Sequence, residues 1–304
     1  MWDSLDPRSF DTREAVPSDP RDADETDPRD VVTQGLDLPR GRERERVDVH
    51  EHEYHLRGSE VRTLATVGAF RVVPADDLKD DAGRPRDLWH GDLDRLREAG
   101  LIRSVSPTGR DASTTLVALT ERGRDVLEAH RSPDHQPVQR FSARGVKTRE
   151  LAHDAQLYRA YLHSADRLTG QGARIHRVVL DDELKREYQQ FLQESNRDRS
   201  DADGRPDRTR EEIDDWAHAH DLPVVDDHVQ FPDLRIEYEW ADGRRDVEDV
   251  EILTPHYRGA HASAKARSGF TSYRSGGGRV GGRSGRGGRG GRPFDPALAE
   301  EFLK

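Results

Sequence analysis

Between residues 89 and 127 the apolar positions change period twice. Trp89, Leu93 and Leu96 recur at i, i+4 and i+7, which predicts one apolar stripe on a helix that stops at Gly100. Arg86, His90, Asp94 and Arg97 fall off that stripe and are expected to face outward. Two short apolar runs then flank the polar tip "SPTGRDAS", and a further helix begins at Thr120 in "TERGRDVL". Upstream, Ser59 is placed to cap a helix that buries Val61, Leu64 and Ala65. Val72-Val73-Pro74 ends that helix and leads into a short one through Leu78. The predicted order is helix, short helix, helix, two-stranded ribbon, closing helix.

A second patterned region covers residues 147–273. "TRELAHDAQLYRAYLHSADRL" is helical, with Leu151, Ala155, Tyr158 and Leu162 on one face. The strand "RIHRVVL" follows, then the helices "DDELKREYQQFLQES" and "REEIDDWAHAH" on either side of a polar loop. "FPDLRIEYEWADGRRDVEDVEIL" is two alternating runs about Asp242-Gly243, and a last helix is expected around Lys265. Ile236, Tyr238 and Trp240 must share a core face with Val250 and Ile252. A two-residue turn sets those groups on opposite faces, whereas a three-residue loop using Arg244 and a bulge sets them together, so the longer loop is expected. That register puts Asp233, at the mouth of the first strand, on the face of Glu251 and near the same end.

Composition changes the picture at the two ends. With 32% hydrophobic and 36% charged residues, part of the chain is expected never to pack. Residues 1–55, with "DPR" at Asp6, Asp19 and Asp27, read as a disordered acidic arm and linker. His50, His52 and His55 lie in that linker and are read as part of a polar strand or linker, not as a metal site. Residues 132–146 read as a linker, and residues 275–304 as a disordered tail containing "SGGGRVGGRSGRGGRGGRP". The absence of cysteine excludes disulfides and thiolate chemistry, and no apolar run is long enough to span a bilayer, so a cytoplasmic protein is expected. The net charge of -11 argues for solubility.

The fold class expected is therefore α/β (α+β), and two resemblances refine it. Residues 56–131, above all "LDRLREAGLI" and "LTERGRDVL", resemble the winged helix-turn-helix domain of MarR-type regulators. Residues 147–274, with "FPD" and an acid eighteen positions on, look like the core of PD-(D/E)XK nucleases, a small mixed-sheet domain of the restriction-endonuclease kind. Taken together, winged helix, "ELAHD" helix, "FPD" and a downstream "K…Y" helix are similar to the replication-relaxation family of plasmids and other mobile elements.

The resemblance implies that Asp233 and Glu251 are metal ligands, Glu150 an accessory acid, and Lys265 a migrated catalytic lysine. It departs from the pattern at Leu253, which stands where the lysine belongs. A core of that kind also gains a strand after the helix carrying Lys265. Here the chain runs straight into the glycine-arginine tract, so the sheet is expected to lack an edge strand or the domain to be a relic kept for binding.

These readings lead to a DNA-binding regulator or accessory factor of replication or transfer. Double-stranded DNA would meet Arg84, Arg86, His90 and Arg97 near the helix and Arg110 at the ribbon tip. No cofactor is implied unless the acids hold Mg²⁺, in which case Asp233 and Glu251 bind it and the protein is a metal-dependent nuclease. The tail arginines Arg279, Arg283, Arg286, Arg289 and Arg292 are spaced for RNA or single-stranded DNA. A protein-interaction module is the third alternative, and a relaxase or replication initiator and a second copy of the chain are the protein partners considered. Residues 56–131 carry about as many basic as acidic side chains, so affinity must come from local placement.

Overall fold

The computed structural model describes residues 28–80, 83–106, 115–135, 138–143, 145, 147, 150–194, 208–253, 267–274 and 278–279. It is a mixed α/β structure with several small sheets. No described helix is long and apolar enough to cross a membrane.

The first half opens with a 3-10 helix, Pro28–Thr33, and an antiparallel hairpin of β1 (Glu45–Val49) and β2 (His52–Leu56). The expectation of a disordered arm through residue 55 is thus corrected for 28–55. Val31, Val32, Leu36, Leu38, Val47 and Val49 are buried. The 3-10 helix packs on the first and fourth α-helices and on the sheet of the second half. Six apolar side chains scattered among charges are enough to anchor a segment when an existing core receives them.

Helix α1 (Gly58–Ala69) buries Val61, Leu64 and Ala65 as the spacing requires. Ser59 does not cap it. Arg57 is the N-cap, and the Ser59 hydroxyl donates to Asp92 at 2.6 Å. Arg71 follows in the left-handed region, with φ of 62°, and turns the chain into β3 (Val72–Pro74). A 3-10 turn, Ala75–Asp77, precedes α2 (Gly91–Glu98), β4 (Ile102–Val105), β5 (Leu116–Leu119) and α3 (Glu121–Ala129). The three strands pair antiparallel in the order β3-β5-β4. Thr120 caps α3 by accepting from the Gly123 amide at 3.1 Å. A Cβ at Gly123 would stand 2.2 Å from the Leu101 carbonyl oxygen, so glycine is what lets α3 approach the strand start.

The second half carries α4 (Leu151–Gly170), β6 (Arg174–Leu180), α5 (Asp181–Gln193), α6 (Arg210–Ala219) and a small hairpin, β7 (Val224–Val225) with β8 (His228–Val229). Then come β9 (Leu234–Glu239), β10 (Arg245–Leu253), β11 (Thr271–Arg274) and β12 (Gly278–Arg279). The sheet order is β12-β11-β10-β9-β6, antiparallel except that β11 runs parallel to β10. The expected missing edge strand is therefore present: Thr271–Arg274 supplies it, and β12 extends the sheet into what was read as tail. Only four residues form β11, too short a run for its alternation to stand out beside the glycine-rich tract.

In the β9-β10 hairpin Glu239 pairs with Arg245 and Leu234 with Val250, and the Trp240 amide bonds to the Arg244 carbonyl. The loop is three residues, as the faces demanded, but they are 241–243, with Gly243 at φ of 81°; Arg244 belongs to the closing pair. Ile236, Tyr238, Val250 and Ile252 pack toward α4, and Val179, Leu184, Ala217 and Leu222 form a cluster on the α5-α6 side.

The two halves share one core. Phe70, at the end of α1, meets Tyr158 and Tyr161 of α4 with ring centroids 5.1 and 5.2 Å apart. The segment read as a linker is a packed strap where it is described: Phe141 and Gln139 are buried. The Gln139 side-chain amide accepts from the Val178 backbone N–H at 3.0 Å and donates to the Val178 carbonyl at 2.9 Å, satisfying that one residue on the open edge of β6.

Candidate nucleic-acid interface and acidic centre

Helix α2 is fixed at its N-terminus by a buried carboxylate. Asp92 receives Arg57, Arg86 at 2.5 Å and Ser59. Burial works to raise its carboxyl, but the hydrogen bonds from Ser59 and Arg57 and the charge of Arg86 outweigh it and hold the group below the usual range. Arg86 is consequently not an outward residue. Its side chain is 7% exposed, and its Nε donates to the Lys79 carbonyl. The expectation that it meets DNA is corrected: a buried acid in the first turn of the helix needs a cation, and Arg86 is within reach.

Trp89 is corrected in the opposite sense. It was expected on the buried stripe, yet α2 begins two residues later, and Trp89 is 63% exposed. Leu88, just before it, is buried in its place. The guanidinium of Arg97 lies 4.8 Å from the Trp89 ring centroid and is held by Asp94 at 2.5 Å. Asp87 accepts from the Trp89 amide at 2.9 Å and sits 2.7 Å from His90 Nδ1, and that bond raises the exposed His90 imidazole above its ordinary value.

The outer ridge of α2 carries Asp94 and the exposed Glu98, flanked by Arg97 on one side and Arg95 on the other. Arg84 is exposed and paired with Asp80 at 3.0 Å. Three further arginines that the sequence reading missed, Arg95, Arg103 and Arg122, are exposed and carry no carboxylate partner among the described residues. Arg103 opens onto β4 and Arg122 stands beside the Gly100 turn. Arg110 lies outside the described residues, as do Arg283, Arg286, Arg289 and Arg292; Arg279 falls in β12.

The acidic centre lies where the two halves meet. Asp233 leads into β9, and its Oδ2 accepts from the Ile252 amide at 2.8 Å and faces His153 Nε2 at 3.0 Å. The other ring nitrogen of His153 faces Asp154 Oδ1, also at 3.0 Å. Burial alone would lower the imidazole, but the bonds to Asp154 and Asp233 push it up to about 10, so it stands as an imidazolium between two carboxylates.

Arg71 completes the cluster, reaching Asp154 at 3.5 Å, Asp182 at 2.6 Å and Asp181. Burial raises Asp181, and Arg71 with Lys185 outweighs it, keeping the carboxyl low. Neither Arg71 nor Asp154 carried a sequence signal beyond lying next to Phe70 and inside "ELAHD".

Glu251 is 2% exposed on β10, and one step beyond the Val250–Leu234 pair sets it across from Asp233. Glu150 stands at the N-cap of α4, 3.6 Å from Lys147. Lys265 lies outside the described residues, and Leu253 ends β10. A Mg²⁺ ion does not fit this donor set. The Oδ2 oxygen of Asp233 is already held by an imidazolium and an amide.

Two further ion-paired groups lie inside the second half. Arg235 pairs with Asp249 at 2.7 Å inside the sheet and donates to the His220 carbonyl, and Glu248 takes Ser164 at 2.9 Å and Arg167. A cleft of about 540 Å³ runs between α3, the strap and α5, where Glu183 is pushed up to about 7, chiefly by burial. Comparison with protein-family models, with curated proteins and with solved structures returns no match.

Proposed function

We propose that this protein binds DNA through a winged helix-turn-helix formed by residues 56–131, and that its second half is a PD-(D/E)XK-like fold that holds DNA or a partner without cutting. The role follows the replication-relaxation resemblance: a cytoplasmic regulator or accessory factor of plasmid or mobile-element replication or transfer. A relaxase or initiator is its protein partner, and it acts as a homodimer where sites are paired.

Support for the first module comes from the order helix, strand, 3-10 turn, helix, two-stranded ribbon, helix, with the sheet ordered β3-β5-β4. The observation that carries the reading is the outer side of α2. The helix packs chiefly on α1 and β4, and Trp89, Arg95, Arg103 and Arg122 are exposed around it. Because Asp94 and Glu98 crown the ridge, contact falls to the N-terminal corner and the flanking arginines, not to the length of the helix.

Support for the second comes from helix α4, three antiparallel strands and a fourth strand parallel to the third. That completeness also favours the alternative, a Mg²⁺-dependent nuclease, more than the sequence did. The His153–Asp233 pair and Leu253 weigh against it.

The test is binding of a labelled duplex across a salt series. Replacing Arg95, Arg103 and Arg122 together by Ala is expected to weaken binding and to flatten the log–log salt slope by about 3. Duplex affinity that is absent, or that is unchanged in this variant, overturns the proposal.

A further inference from the structure

Among the described residues Trp89 is the sole large hydrophobic side chain left exposed. Its position is imposed by the chain around it. Leu88 is anchored in the core, and the Asp87 carboxylate gathers the Trp89 amide and the His90 ring into a tight turn ahead of α2. Arg97, pinned by Asp94, backs the indole at 4.8 Å. The indole is thus held outward before any partner arrives, and ordering it costs a ligand little.

A flat indole backed by a fixed guanidinium has the chemistry that takes a nucleobase by stacking, with the protonatable imidazole of His90 next to it in the same turn. In a continuous duplex every base already has neighbours on both faces. The acids on the α2 ridge also oppose close approach of phosphates along the helix. Both facts favour a base that has left the stack, met at the N-terminal corner of α2.

We infer that Trp89 and Arg97 form a stacking platform for an unpaired base, and that the preferred ligand is DNA with a junction between duplex and single strand. This rests on the DNA-binding reading above and names the form of DNA that the site takes.

The experiment compares two labelled DNAs with the full chain: a blunt duplex, and the same duplex with a single-stranded oligothymidine extension. Wild-type protein is expected to bind the extended DNA about tenfold more tightly. Trp89→Ala should bring it back to blunt-duplex affinity, while Trp89→Phe keeps part of the gain. Because Trp89 is exposed, the variants should melt as wild type does. Equal wild-type affinity for both DNAs, or a Trp89→Ala loss that is the same on both, overturns the platform and leaves duplex binding standing. Failure to bind either DNA overturns the DNA-binding reading and the platform with it.

Discussion

His153 Nε2 lies 3.0 Å from Asp233 Oδ2, and this contact joins the start of α4 to the mouth of β9. The imidazolium sits where the resemblance to nucleases calls for a metal ion. It satisfies Asp233 electrostatically and also ties that carboxylate, through Asp154, to Arg71 of the first half.

This contact makes stability depend on pH with a definite sign. The folded-state value of about 10 lies above the ordinary imidazole value, so the stabilisation is complete below about 6.5 and is lost as pH rises toward 10. His153→Ala should cost on the order of 1.5–3 kcal/mol at neutral pH and much less above about pH 10, where the imidazole is neutral. Denaturant melts of both proteins across that range measure it; a gap that does not close on raising the pH contradicts the assignment.

Phe70→Ala removes the ring that sits against Tyr158 and Tyr161, at an expected cost of about 3–5 kcal/mol. Because one buried cluster spans both halves, calorimetry should show one transition that moves as a whole. A variant in which only one of two transitions shifts would mean that the halves fold separately.

Gly123→Ala drives a Cβ against the Leu101 carbonyl, which is backbone and yields poorly. A loss of about 1–3 kcal/mol is expected. A urea midpoint equal to that of wild type would show that α3 does not pack this closely.

Metal-dependent cleavage is the sharpest check on the second half. Supercoiled and nicked DNA incubated with Mg²⁺ or Mn²⁺ should remain intact, and neither ion should raise the melting temperature. Cleavage that disappears in Asp233→Asn would establish the nuclease alternative instead.

Much of this architecture is legible in the chain because buried spacing is a local signal. Leu93 and Leu96, the stop at Gly100 with φ of 69°, the Thr120 cap and the parity of the β9-β10 hairpin all follow from it. Trp89 satisfies the same spacing and is nevertheless exposed, since a helix face says nothing about where the first turn begins. Arg86 and Arg71 were opaque for another reason: their partners, Asp92 on the next helix and Asp181 and Asp182 far along the chain, are set by tertiary packing. Residues 28–55 were hidden by their charged composition, which masks the few apolar side chains that dock.

The central claim, that the outer side of α2 and the arginines flanking it are where this protein meets DNA, is tested most directly by titrating the labelled duplex at several salt concentrations with wild type and with the Arg95, Arg103 and Arg122 triple alanine variant. The account predicts salt-sensitive binding whose slope falls by about 3 in the variant. Identical curves for the two proteins, or no binding by the wild type, would contradict it.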